Sequence, residues 1–252
     1  MSETTTKERP ILFKDAMVRA ILEGKKTQTR RLAKMEGKLP VFQEGDVNDP
    51  ANWHFEGCQF YTGEPFTVNE LITHPGLQCP YGQPKGAVAM GKGKHAYTQH
   101  NEHGDRLFVR ESGWRSEGRF FAYDATPGIA RCADDPAGTF IQVSPEEAKS
   151  WATEEWRRHG WKRTPSIHMP RWASRLLLEI VSVRVERLQS ISEADAMAEG
   201  VKTTCPCAGG CNQHRDDYAK LWDSINGGKE GADWASNPFV WVVEFRNITP
   251  TK

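Results

Sequence analysis

The apolar residues of this chain fall into short clusters whose spacing separates strands from helices. Pro10-Ile11-Leu12-Phe13 predicts a first strand. A helix is expected next, with Asp15 as N-cap, Met17, Val18, Ile21 and Leu22 on its apolar face, and Gly24 as the stop. Gly104-Asp105 feeding Leu107, Phe108 and Val109 predicts another strand, and Phe120–Tyr123 a further one. Ser144, Pro145 and Glu147 have the order of an N-cap, a first-turn proline and a capping acid. They predict a helix that carries Trp151 and Trp156 and stops at Gly160. The longest strand signal runs from Trp172 to Leu188. Its alternation uses Leu176, Leu178 and Ile180, then slips by one residue to Val181, Val183 and Val185, the mark of a bulge in a bent strand. Ser192, with Asp195 three residues on and Gly200 as terminator, predicts a short helix. Tyr218, Leu221, Trp222 and Ile225 predict another over about 214–226, and Phe239–Phe245 a closing strand.

Between these elements lie two stretches with no clear period. From about 36 to 103 the chain is rich in scattered Gly, Pro and Asn, and is expected as a loop-like insertion; 124–165 is expected as a second one. The remainder predicts an α+β fold, a small β-barrel or strongly curved sheet flanked by helices, spanning 10–248 as one domain with flexible tails at 1–9 and 249–252.

Composition narrows the classes. The 252 residues contain 33 Lys plus Arg and 33 Asp plus Glu, a formal charge of zero, which excludes a protein that coats nucleic acid through bulk charge. No run of about 18 apolar residues is present, so no membrane partner is expected. Met1 to Arg9 is polar and reads as no secretory signal, so the expected location is the cytoplasm and the six cysteines are expected as thiols or metal ligands.

The neutral total hides an uneven distribution. Lys14, Arg19, Lys25, Lys26, Arg30, Arg31 and Lys34 face only Asp15 and Glu23 within the same segment, a local excess of 7 − 2 = +5. The turn Lys25-Lys26-Thr27-Gln28-Thr29-Arg30-Arg31 is therefore an anion- or nucleotide-binding candidate, set against the plainer reading of a solvated charge run.

The Gly-Lys-Lys-Thr-x-Thr-x-Arg pattern of 24–31, the helix ending Ile21-Leu22-Glu23-Gly24, Gly104-Asp105-Arg106-Leu107, the segment Ser166–Arg175 and the closing Phe239–Phe245 together resemble the ASCH domain family, relatives of the PUA fold, in its phage and prophage branch. That resemblance implies a PUA-like β-barrel with a cleft under the Lys-Thr turn. The wider family includes RNA-binding modules, a ribonuclease and small bacterial amidohydrolases that deacylate N4-acetylcytidine. In those amidohydrolases a Lys and a Thr of the turn work with a later Glu, and the matching positions here are Lys26, Thr29 and Glu199. This chain is more than twice as long as those enzymes. The implied activity is an amidohydrolase acting on N4-acylated cytosine or cytidine without a catalytic cofactor. The alternative is an RNA- or nucleic-acid-binding module, or a ribonuclease, using the basic Lys25–Arg31 turn.

The residue types suit the chemistry. A Thr hydroxyl is a nucleophile only when a base takes its proton, and a lysine serves as that base if burial and neighbouring cations lower its pKa. Glu199 orients Lys26 or protonates the leaving nitrogen, while its charge acts against a lowered lysine pKa. Arg30, Arg31, Arg110, Glu111, Trp114 and Tyr123 are the substrate-binding candidates, the aromatics for stacking on a base. Trp172 and His168 rank behind them as core or hydrogen-bonded structural residues. Finally, Cys205, Cys207, Cys211 and His214 offer four N/S ligands in ten residues, a candidate for a closed structural zinc site, with a thiol-rich loop as the alternative.

Overall fold

The computed structural model describes residues 6–59, 65–73, 79–85, 88–90, 98–100, 104–116, 120–126, 129–134, 140–142, 160–202 and 213–249. In chain order these form β1 (Glu8–Leu12), α1 (Asp15–Leu22), β2 (Gln28–Leu32), β3 (Val41–Phe42), β4 (Trp53–Gln59), β5 (Pro65–Thr67), α2 (Val68–Thr73), β6 (Val88–Met90), β7 (Thr98–His100) and β8 (Arg106–Arg110). The chain continues with β9 (Gly113–Ser116), β10 (Phe120–Tyr123), β11 (Ile129–Cys132), β12 (Phe140–Gln142), β13 (Trp161–Thr164) and β14 (Leu177–Arg187). It closes with α3 (Glu193–Ala198), α4 (Gln213–Asn226) and β15 (Phe239–Asn247). The fold is mixed α and β, with sheet predominating. No helix among the described residues is long and apolar enough to cross a membrane.

Backbone contacts gather the chain into two compact units, each made of separate segments: Met1–Lys7 with Lys25–Asp105 and Glu179–Arg246, and Glu8–Gly24 with Arg106–Leu178 and Asn247–Lys252. In the first unit the strand order is β14-β15-β2, with β15 and β2 antiparallel from Val240 opposite Leu32 to Glu244 opposite Gln28. Leu188, Ile191, Ala196, Tyr218, Trp222, Val240 and Val242 form a buried cluster against this sheet, so α3 and α4 are held by apolar packing.

The 36–103 segment, read above as loop-like, carries real structure. β3, β4 and β5 form an antiparallel sheet, and Phe55, Phe66, Val68 and Leu71 are buried beneath it. β3 and β5, of two and three residues, are too short to show a period, and Gly57 interrupts the apolar–polar alternation that opens β4. Arg187 ties this layer down, its guanidinium 4.3 Å from the Trp53 ring centre and 3.9 Å from that of Phe239.

In the second unit β1 pairs parallel with β8, Glu8 opposite Arg106 through Leu12 opposite Arg110. The intervening α1 buries Val18, Ala20 and Ile21. Its N-cap is Lys14, which makes no side-chain cap bond; Asp15 falls one residue later, inside the first turn, where its charge suits the helix dipole. A second, antiparallel sheet has the order β12-β11-β10-β9-β13 and packs Phe121 and Tyr123 on Met169 and Ala173. The expected closed barrel is not formed by the described strands: β2 pairs with β15 alone, and β12 and β13 remain sheet edges. β14 does show the slipped alternation. Leu178 and Ile180 are buried, Val181 is 53% exposed, and Val183 and Val185 are buried again. The helix read over 144–160 lies outside the described residues.

Candidate functional site

Lys26 is set by the turn that ends α1. Gly24, at φ +70°, lets the chain reverse, and the next residues run extended into β2. On the other side, α3 begins with a reciprocal capping box between Ser192 and Asp195. Its last turn delivers Glu199, whose N–H donates to Asp195 O at 2.9 Å, and Gly200 at φ +77° turns the chain away. The two segments meet as an isolated antiparallel bridge between Lys26 and Glu199, supported by Thr27 N–H donating to Ala198 O at 2.8 Å. Lys26 Nζ donates to Glu199 Oε2 at 2.7 Å and to Glu199 O at 2.9 Å. Lys26 is 2% exposed and Glu199 4%.

A chain of charges extends from this pair within the first unit. Arg30 Nη1 reaches Glu199 Oε1 at 3.4 Å, and Nη2 reaches Glu186 Oε1 at 2.6 Å and Asp195 Oδ2 at 3.4 Å. Arg184 continues it to Glu186 at 3.1 Å and to Glu244. Gln28 Nε2 donates to Asp195 O at 2.6 Å. Glu199, Asp195 and Glu186 thus share Arg30, so Glu199 keeps a cationic partner whatever the state of Lys26. Burial pushes the Lys26 ammonium below its ordinary pKa. The charge and hydrogen bond of Glu199 oppose this, and the charges of Arg31 and Arg30 add to it. Burial raises the Asp195 carboxyl, but hydrogen bonds from Ser192 and the charge of Arg30 more than offset that, leaving it below its usual range.

Thr29 is 3% exposed and lies opposite Val243 across the sheet. With Arg31, which lies opposite Trp241, it occupies the β2 face alternate to Gln28 and Arg30. None of the hydrogen bonds of the Glu199 cluster uses the Thr29 hydroxyl. Lys26, Thr29, Arg30, Arg31 and Glu199 therefore share one unit. Lys26, Arg30 and Glu199 are joined by direct contacts, with Thr29 and Arg31 on the opposite strand face.

The other substrate-binding candidates belong to the second unit and have structural partners. Glu111 is fully buried and holds Arg175 through two bonds of 2.9 Å, Nε to Oε1 and Nη2 to Oε2. Burial raises the Glu111 carboxyl pKa against the opposing pull of Arg175. Tyr123 donates to Ala173 O at 2.7 Å under the Arg175 guanidinium, 4.0 Å from its ring centre, and burial pushes its pKa upward. Arg110 donates to Ile167 O at 3.0 Å, and Arg163 lies 5.8 Å from the Trp114 ring centre. The paired Glu111 and Arg175 fit a role in stability better than ligand recognition. Of the zinc candidates, Cys205, Cys207 and Cys211 lie outside the described residues. His214, in the first turn of α4, sets Nδ1 2.8 Å from Glu193 Oε1. No cluster of three metal-ligating side chains occurs among the described residues.

Arg184, Glu186 and Glu244 were missed as site residues. Their signal is parity, since charged residues at alternate positions of strands otherwise rich in Val mark one polar face. Trp241 was read only as a strand residue. Its buried indole N–H has no acceptor among the described residues, one strand position across from Arg31. Comparison with protein-family models, with curated proteins and with solved structures gives no match to this chain.

Proposed function

We propose that this protein is a cytoplasmic amidohydrolase of the ASCH type, built on a PUA-like core, that removes the acyl group from N4-acylated cytosine or cytidine. One observation carries the reading: a lysine withdrawn from solvent, 2.7 Å from a carboxylate, whose ammonium is weakened by burial despite that partner. Burial of this kind favours the neutral amine as a proton acceptor, while Arg30 keeps Glu199 neutralised.

In the reaction, neutral Lys26 Nζ takes the Thr29 hydroxyl proton as Oγ1 attacks the acyl carbon. The C–N4 bond then breaks, and the Lys26 ammonium returns that proton to N4. Cytidine leaves with a free amino group and the acyl group stays on Thr29 as an ester. Water hydrolyses the ester to the carboxylic acid and restores the hydroxyl. The step needs Nζ to turn from Glu199 toward Thr29 when the acyl group arrives. Glu199 positions Lys26 Nζ between turnovers, and Arg31 and the Trp241 indole are the donors nearest in register for the base or acyl oxygen. The burial of Lys26 and Arg30 removes two of the four cations of the basic turn from contact with a polyanion, which favours a single nucleoside over RNA as partner.

A structural zinc on Cys205, Cys207, Cys211 and His214 completes the proposal. A carboxylate on one ring nitrogen, as Glu193 provides, is the usual support for a histidine that ligates through the other. Free thiols at Cys58, Cys79 and Cys132 accord with a reducing compartment. The direct test is incubation with N4-acetylcytidine, followed by ultraviolet absorbance and acetate assay. The expected result is one cytidine and one acetate per substrate consumed; no release of either product overturns the reading.

A further inference from the structure

The second unit contains a pocket of about 510 Å³ lined by Arg115, Gly160, Lys162, Arg163, Thr164, Pro165 and His168. Its floor is the pairing of β9 with β13, where Lys162 stands directly opposite Arg115. Two like charges at opposed positions of an antiparallel pair repel each other, and strands normally place an acid at one of the two. Here both side chains are exposed, and neither forms an ion pair or hydrogen bond among the described residues. No carboxylate lines the pocket among those residues. The acid near its rim, Asp124, is committed to Arg163 at 2.5 Å, and Arg163 also donates to Gly113 O at 2.9 Å. His168 adds a fourth basic side chain to the lining, beside Arg115, Lys162 and Arg163, and the Thr164 hydroxyl is turned back to Lys162 O at 3.2 Å.

We infer that this pocket binds a phosphorylated small molecule of nucleotide size, with Arg115 and Lys162 on its phosphate. A phosphate monoester carries close to two negative charges at neutral pH, the amount needed to neutralise both cations. The Arg fork grips two phosphate oxygens while the Lys ammonium acts as a point charge. The volume falls within the range of small-ligand sites and accommodates a nucleoside as well as its phosphate. A bound phosphate offsets the like-charge opposition of Arg115 and Lys162. This inference stands on the second unit alone and is independent of the amidohydrolase reading.

The experiment is calorimetric titration of the full chain at constant ionic strength with inorganic phosphate, cytidine 5′-monophosphate and cytidine. Wild type, Arg115→Gln and Lys162→Gln are compared, each checked by a thermal melt. Phosphate and the monophosphate are expected to bind wild type competitively, and either substitution to weaken both by about tenfold or more. Both positions are exposed, and removing one of two repelling charges should leave the melting midpoint of the unliganded variants unchanged or raised. Absence of phosphate binding to wild type, or equal binding by wild type and both variants, overturns the inference. Cytidine binding as tightly as its monophosphate overturns phosphate as the recognised group.

Discussion

A lysine with no solvent contact carries its charge only at a cost, and Lys26 is in that position even with Glu199 beside it. The desolvation of the ammonium outweighs the attraction of the carboxylate, and the charges of Arg31 and Arg30 add a smaller push in the same direction. This has a sign that can be measured. In the interval between the lowered folded-state pKa and the ordinary value of 10.5, the unfolded chain binds more protons than the folded one. The penalty is fully present at pH below the folded pKa, fades as pH rises through the interval, and is gone above 10.5, so stability climbs with pH. Urea unfolding of wild type should show that climb, and Lys26→Met should flatten it; identical slopes in the two proteins would contradict the balance described. The substitution leaves Glu199 with Arg30. Its cost should therefore fall below the about 3–5 kcal/mol expected when a buried charge loses its only partner. The pairing of Lys26 with Glu199 was expected from the family resemblance, not from spacing, since the two lie 173 positions apart. The further links through Arg30, Glu186, Arg184 and Glu244 were not, because they depend on which strands are neighbours and in what register.

Among the elements, those with long or punctuated patterns matched their sequence signals. α1, α3 with its capping box and α4 carry helical spacing or a cap with a terminating Gly, and β8, β10 and β15 are built on runs of consecutive apolar residues. β9 and β13 carry only four residues each and gave no signal, although they build the walls of the basic pocket. Gly113 shows what that region demands. A Cβ there would lie 2.1 Å from the Ala122 carbonyl oxygen and 2.6 Å from the Phe121 ring, so β9 reaches β10 only without a side chain. Gly113→Ala is expected to destabilise by about 3 kcal/mol or more, among the larger single-site effects, because backbone rather than a flexible tip must move. Urea denaturation checks this, and a loss under about 1 kcal/mol would mean that the two strands separate easily.

At the scale of the molecule, zero net charge proves compatible with strongly uneven local fields. Part of the +5 excess between Lys14 and Lys34 is withdrawn from the surface. Lys26 and Arg30 are buried against Glu199, Glu186 and Asp195, residues more than 150 positions away in sequence. Counting charges along the chain could not reveal this, because the neutralising acids come from β14 and α3. Nor could the two units be read from the sequence, since each is assembled from discontinuous segments and neither boundary carries a linker. The exposed pair Arg115 and Lys162 is separated by 47 positions in sequence and is brought together only by the β9–β13 register.

In the proposed reaction Lys26 is the group that moves the proton. The measurement that tests it most directly is the rate of cytidine release from N4-acetylcytidine by wild type and by folded Lys26→Met at equal concentration. The account predicts measurable turnover in wild type and a loss of at least about 100-fold in the variant, the usual scale for removing a general acid–base. Equal rates in the two proteins would contradict it.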